Sequence, residues 1–376
     1  MHLRLASRPP LRPNRIGDLP SLTSKNGGEI IWQGLTPEVS LPVPQKGWPE
    51  HVPDFVRPGI PSVPLCLARF KQVRIFGPSV SVASTDGTLF KDVSVEWNSN
   101  PEPWPMRKFR FPPARELDGP ILLLASTGGE TYYHFLFDVL PRLDLAQKAG
   151  LDLPSIRHFI VNDLRPAFVP QLLRRAGVPL DRCIELRQFR HLICQDALIP
   201  SLPGQMGSPH KEIVRFYARL FPGIDKPAGR GPGLFMSRSG AQQRKIRRES
   251  ELLDFLQSLG VEIFCPDRLP VEDQASRMAR AGFVIAPHGA GLSNLVFCQP
   301  GTPVLEIFYP GYINQCYRVL AAMRGLPYFY FIGRALSGRV GKNRPGDSSG
   351  DIDLNLEQFR AAVLAVKAFT EKPASL

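Results

Sequence analysis

Apolar positions along this chain fall into strand-sized runs separated by stretches of helical spacing, and they do so in two successive series. The first series opens at Gly119. A buried strand is predicted over 120–126, a tight turn at Thr127-Gly128-Gly129-Glu130 and a helix over 132–147; a strand over 158–161, a helix over 166–176, a strand over 183–186 and an apolar stretch over 192–199 follow. The second series starts after a Pro/Gly-rich segment, 221–233. It predicts strands at 234–237, 261–264, 283–286 and 303–308, with helices at 249–259, 270–281, 291–297 and 312–323. A polar Gly-rich loop over 338–350 and an amphipathic helix over 356–369 close the chain, and no short-period repeat is visible. Strands alternating with helices of about 10–15 residues imply a parallel sheet covered on both faces. Two such series describe an α/β fold of two Rossmann-like domains facing each other across a cleft.

The first 65 or so residues are rich in Pro and Gly and lack a period, which predicts a mobile or surface-hugging arm. Arg4, Arg8, Arg12 and Arg15 precede the first acid, Asp18, as in a transit peptide, but Pro9, Pro10 and Pro13 oppose the amphipathic helix such a peptide needs. Segments 73–84 and 87–97 alternate like the strands of a small sheet, and 98–113, with five prolines, reads as a linker. The resulting division is an arm with a β extension (1–115), a first Rossmann-like domain (116–228), a second (229–335), and a loop with a C-terminal helix (336–376).

Composition narrows the class. With 376 residues, 43% apolar and 21% charged, the chain reads as globular and longer than one core usually organises. No apolar run approaches the roughly 18 residues of a membrane-spanning helix, and the N-terminus has no apolar h-region of a secretory signal. The net charge of +12 favours anionic partners. Six of the cations, Arg230, Arg238, Arg244, Lys245, Arg247 and Arg248, lie between 230 and 248 without an intervening acid. No helix-turn-helix, zinc-finger or RNP-type signature accompanies them, so nucleic acid is not the expected partner. The six cysteines are scattered, with no metal-ligand spacing, which favours free thiols in a reducing cytoplasm. An anionic membrane face is a candidate contact for the basic arm.

The sharpest candidate chemistry is Ala286-Pro287-His288-Gly289-Ala290-Gly291-Leu292-Ser293-Asn294. It links a buried strand to a helix, where glycines admit a ligand to the backbone and the helix N-terminus offers amides to phosphate; a purely structural turn is the alternative. Ser293 or Asn294 can cap that helix or donate to a phosphate oxygen. Glu306, toward the carboxyl end of the next strand, can accept ribose hydroxyls or form an ion pair with an arginine. Ser237, Arg238, Arg244 and Lys245 follow the first strand of the second series, and guanidinium groups there suit a diphosphate. In the first series, the turn at Gly128-Gly129 and the following Tyr133 lead to His134 and Asp138, and the two glycines would let an acceptor approach the helix start. His134 and Asp138 share a helical face, so a carboxylate can orient a histidine base, or His134 can be packing while Asp138 binds Arg142. No acidic pair lies beyond a strand where a metal–diphosphate complex would form, and no cofactor or divalent metal is expected.

Three segments in order resemble the family 61 glycosyltransferases. They are Tyr133-His134-Phe135-Leu136-Phe137-Asp138-Val139-Leu140-Pro141-Arg142-Leu143; Ser237-Arg238 with Ala241, Arg244-Lys245-Ile246, Glu249 and Glu251-Leu252; and Pro287 to Asn294 with Phe297, Pro300-Gly301, Val304 and Glu306. The resemblance implies a GT-B arrangement and an inverting transfer from a nucleotide-sugar, expected to be UDP-linked, to a glycan or glycolipid hydroxyl. It implies that 288–294 and Glu306 lie at the donor, Arg238 and Arg244 at the diphosphate, and His134 and Asp138 at the reacting centre. Secretory-pathway relatives carry membrane anchors, and none is visible here. The likeness is therefore closer to bacterial members that build capsule or other surface polysaccharides, acting in the cytoplasm or at the inner face of the cell membrane. Two rivals stay open: a GT-B nucleotide-sugar epimerase or hydrolase, and a non-catalytic nucleotide or nucleic-acid binder.

Overall fold

The computed structural model describes residues 4–5, 13–23, 27–50, 59–77, 79–94, 103–108, 110–204, 208–223, 231–335 and 350–371. Parts of the expected N-terminal arm, of the 221–233 segment (including Arg230), and nearly all of the 338–350 loop lie outside the described residues. The chain divides into two compact units: Met1–Pro37 with Ser62–Pro209, and Glu38–Pro61 with His210–Leu376.

In the first unit, Cys183–Glu185, His158–Val161, Ile121–Leu123 and His191–Pro200 lie side by side and parallel, in that order. The sheet then continues antiparallel through Pro64–Phe76 to Ser81–Ser84 and Thr88–Phe90. It is therefore mixed, not all-parallel, and the expected small N-terminal sheet is continuous with it. The reason is the apolar stretch after 190. His191–Pro200 is mostly buried, and it pairs along nearly its whole length with the 13-residue Pro64–Phe76 strand. What reads as one alternating segment over 73–84 is the end of that strand, a break after Phe76, and the whole of Ser81–Ser84. The 98–113 linker contains a short helix, Trp104–Arg107.

The helix expected over 132–147 is interrupted. Tyr132–His134 is α-helical, Phe135–Val139 forms a π turn closed by Leu140 N–H to Phe135 O at 2.9 Å, and Arg142–Lys148 resumes the α-helix. Pro141 lacks the N–H that would bond the Phe137 carbonyl, so the chain widens by one residue before it.

His191 lies at the edge of an aromatic cluster. It is 1% exposed, stacks on Phe76 with centroids 4.7 Å apart, and meets Pro112 O through Nδ1 at 3.1 Å and Arg74 Nη1 through Nε2 at 3.3 Å. A neutral ring with its proton on Nδ1 satisfies both contacts. Burial pushes His191 down to about 4, against the pull of the Pro112 bond and with a further push from Arg74. The unfolded chain takes up this proton near pH 6.5, whereas the folded ring resists it until about pH 4. This contribution to stability is full above about pH 6.5 and is lost as pH falls toward 4, by on the order of 2 kcal/mol at pH 5 and about 3 kcal/mol at pH 4. Thermal unfolding at pH 7 and pH 5 should show the loss, and His191→Gln should shrink it. An equal drop in that variant would remove His191 as the cause.

The second unit is an all-parallel sheet in the order Glu262–Phe264, Leu234–Met236, Val284–Pro287, Val304–Phe308, Tyr328–Ile332, Lys46–Trp48. Its last strand comes from the supposed arm: Lys46–Trp48 pairs with Tyr328–Ile332, and a Cβ on Gly47 would strike the Tyr330 ring. Leu356–Thr370 buries Phe359, Val363 and Val366 in the core with Phe329 and Phe331. A helix absent from the sequence reading, Lys211–Leu220, sets Tyr217 edge-on to Phe297 at 5.7 Å. Without the Lys46–Trp48 edge, the strands run 2-1-3-4-5 by chain position. Such a sheet reverses its winding between its first and third strands, which here end at Met236 and Pro287. Among the described residues, no helix is long and apolar enough to cross a membrane.

Candidate functional site

The winding reversal places the residues after Met236 and after Pro287 next to each other. Gly289 is extended, and a Cβ built there would run into the Arg238 guanidinium. A side chain at 289 would therefore displace the Arg238 guanidinium from the turn, while the extended backbone there places no demand on the residue type. Arg238 donates to Gln243 O through Nη2 at 3.1 Å, while its buried Nε has no partner among the described residues. Burial, then the cation of Arg244, hold Arg238 below its ordinary value. Arg244 packs its guanidinium 5.2 Å from the Tyr312 ring centroid and also has a buried, unpartnered Nε. Two cations that disfavour each other are a poor arrangement by themselves and a good one around an anion.

The turn 288–297 is a 3-10 helix, Ala290–Phe297, with no side-chain cap at Gly289. The first turn bond is Leu292 N–H to Gly289 O at 2.9 Å. The amides of Ala290 and Gly291 precede it and so have no place in the helical ladder. Leu292, Ser293 and Asn294 are buried. The Asn294 amide donates to Gln274 Oε1 at 2.8 Å and to Gly291 O at 3.0 Å, tying the turn to helix Val271–Arg280. Ser293 and Asn294 are thus enclosed, whereas Ala290 and Gly291 of the same turn retain surface.

Glu306 lies within the strand Val304–Phe308, as expected from the sequence, and is enclosed there. It is 0% exposed; Oε1 meets His288 Nδ1 at 2.5 Å and Oε2 accepts the Tyr328 hydroxyl at 2.5 Å. A carboxylate so enclosed offers no surface to a ribose. Its action is on His288, whose Nδ1 it engages and whose ring is held among Phe308, Tyr312 and Tyr317 at centroid distances of 5.4, 5.3 and 5.2 Å. Burial first, then the negative charge of Glu306, push Tyr328 well above its ordinary value, so the phenol stays a donor. Ser237 Oγ engages Ser239 and, with Glu249 nearby, lies half-buried. The Lys245 N–H donates to Asp351 Oδ1 at 3.0 Å.

In the first unit, His134 Nδ1 lies 2.6 Å from Asp138 Oδ2, with the two side chains 18% and 6% exposed. The π turn carries Asp138 and keeps it on the His134 face. Tyr133 packs edge-on to His134 at 5.1 Å. Gly128 has φ 72°, and a Cβ on Gly129 would meet Asn162 and Val139. Asn162 clamps this turn by accepting Ser126 N–H at 3.1 Å and donating to Ser126 O at 2.7 Å. Arg142 is fully buried and donates to Ala125 O at 2.7 Å. The His134–Asp138 reading therefore has the geometry of an oriented histidine, and Arg142 binds the strand end rather than replacing His134 as the Asp138 partner.

Several contributors were missed from sequence: Asn162, Gln274, Tyr312, Tyr328 and Asp351. Asn162 alone carried a signal, since it directly follows the strand His158–Val161 at its carboxyl end. The others meet the site only through long-range packing. Among the described residues, no three His, Cys, Asp or Glu side chains cluster as a metal site would require.

Fold and site together define an α/β protein with a doubly wound unit, an arginine pair at its winding reversal, and a carboxylate-held histidine in its other unit. Residues 132–305, a little under half of the chain, match the family model described as Glycosyltransferase 61. The match runs from the helix that carries His134 to the strand that carries Glu306, and it supports a glycosyltransferase. No curated protein matches the chain.

Proposed function

We propose that this protein is an inverting glycosyltransferase that moves a sugar from a UDP-linked donor to a hydroxyl of a glycan or glycolipid, in capsule or other surface polysaccharide synthesis. The observation that carries the reading is Arg238 lying on Gly289 with an Nε that has no partner among the described residues, beside Arg244 and the amides of Ala290 and Gly291, which precede the first turn bond. A diphosphate supplies what all of these groups lack. The reading divides the labour as GT-B enzymes do, with the second unit holding the donor and the first presenting the acceptor. Transfer is a single displacement. The acceptor hydroxyl gives its proton to Nε2 of His134 as its oxygen bonds the anomeric carbon; the bond from that carbon to the diphosphate breaks, and UDP leaves. Asp138 steadies the resulting imidazolium. Arg238, Arg244 and the turn amides take up the charge on UDP, a task the reading gives to protein groups instead of a divalent ion.

Calorimetry with UDP tests the donor site. Arg238→Ala should weaken binding by about 10- to 100-fold, the loss of one charge-assisted phosphate contact. Wild-type protein that ignores UDP yet binds DNA or RNA in a salt-sensitive way would sink the transferase reading in favour of a nucleic-acid binder. Conversion of a UDP-sugar with no acceptor present would favour an epimerase or hydrolase.

A further inference from the structure

The loop that carries Arg244 is held in an unusual way. Arg244 and Arg248 both adopt left-handed backbone, φ 56° and 53°, although neither is glycine. Such a conformation brings the Cβ too close to the following carbonyl oxygen and persists only where the surroundings impose it. The three residues between them supply the constraint. Lys245 N–H donates to Asp351 Oδ1 at 3.0 Å, Ile352 N–H donates to Lys245 O at 2.8 Å, Ile246 bridges Ile352, and Arg247 N–H donates to Ile352 O at 2.9 Å. A short segment near the end of the chain thus straps Lys245–Arg247 from one side. The strap is itself anchored, because Ile352–Asp353 pairs antiparallel with Arg334–Ala335. Of these contacts, the Asp351 carboxylate is the only side-chain one, and it lands on the amide next to Arg244.

We propose that Asp351 is a positioning residue for the anion site: by accepting the Lys245 N–H it holds Arg244 in the left-handed conformation that sets its guanidinium over Tyr312. The inference rests on the diphosphate reading of that site. It makes a prediction opposite in sign to simple electrostatics. Removing a carboxylate near an anion site should tighten anion binding through the loss of repulsion. Removing the residue that positions a cation should loosen it.

The test uses the full chain with two probes, UDP and inorganic pyrophosphate, in calorimetric titrations of wild type, Asp351→Ala, Asp351→Asn, Arg244→Ala and the double variant Asp351→Ala/Arg244→Ala. The expected result is that Asp351→Ala weakens both probes by about five-fold or more. Asp351→Asn, which keeps an acceptor oxygen at the same place, should stay close to wild type. In the Arg244→Ala background, Asp351→Ala should add no further loss. Binding by Asp351→Ala that matches or exceeds wild type overturns the inference, and so does an equal loss in the presence and absence of Arg244. Wild-type protein that binds neither probe overturns the diphosphate reading and this inference with it. Wild-type binding with an unresponsive Asp351 overturns the inference alone.

Discussion

Replacing His134 by alanine is expected to lower sugar transfer by about 10²–10⁴-fold, the usual weight of a positioned general base, while UDP affinity stays within about two-fold of wild type. The expectation rests on the 2.6 Å contact between Nδ1 and Asp138. That contact fixes the proton on Nδ1 and leaves Nε2 as the basic atom, with the ring partly open to solvent at 18% exposure. Asp138→Asn should fall in the same range, because the amide neither holds the tautomer nor steadies an imidazolium. The measurement is initial-rate transfer from a radiolabelled UDP-sugar, with nucleotide binding followed in parallel. Wild-type turnover by His134→Ala would remove the base assignment, and a product that keeps the donor's anomeric configuration would remove single displacement.

The second large effect belongs to Glu306. Both of its oxygens are engaged, by His288 and by Tyr328, in a fully buried setting. Glu306→Ala strands two buried donors, so the second unit should lose about 3 kcal/mol of stability. Glu306→Gln keeps one acceptor and should lose less. Urea unfolding reads the difference as a lower midpoint with an unchanged slope. A direct ribose contact predicts the reverse pattern: lost UDP affinity with an unchanged midpoint. Finding that pattern would show that the carboxylate reaches ligand after all.

Strands and their pairing partners are legible in this chain to different degrees, for one physical reason. Local pattern identified the strands His158–Val161, Leu234–Met236, Val284–Pro287 and Val304–Phe308 to within a residue or two, because a strand buried on both faces must be apolar throughout. The glycines at 289 and 291, between a buried strand and a helical turn, were legible, and so was the four-residue spacing of His134 and Asp138, which are in contact. Pairing partners were not. Whether Lys46–Trp48 joins the edge of a sheet nearly three hundred residues away is decided by the ladder with Tyr328–Ile332 and the bare Cα of Gly47, neither of which leaves a period in the chain. Helix Lys211–Leu220 went unread beside a Pro/Gly-rich stretch.

For this protein, the order of residues alone determined most strands and helices of the two series and which short motifs carry titratable or basic groups, since these depend on neighbours a few positions apart. Only the tertiary structure decided where those groups point. It turned Asn294 and Glu306 inward to the core, laid Arg238 against Gly289 across the winding reversal, and strapped Arg244 in place with Asp351, because each of these contacts joins residues that sequence distance leaves unrelated.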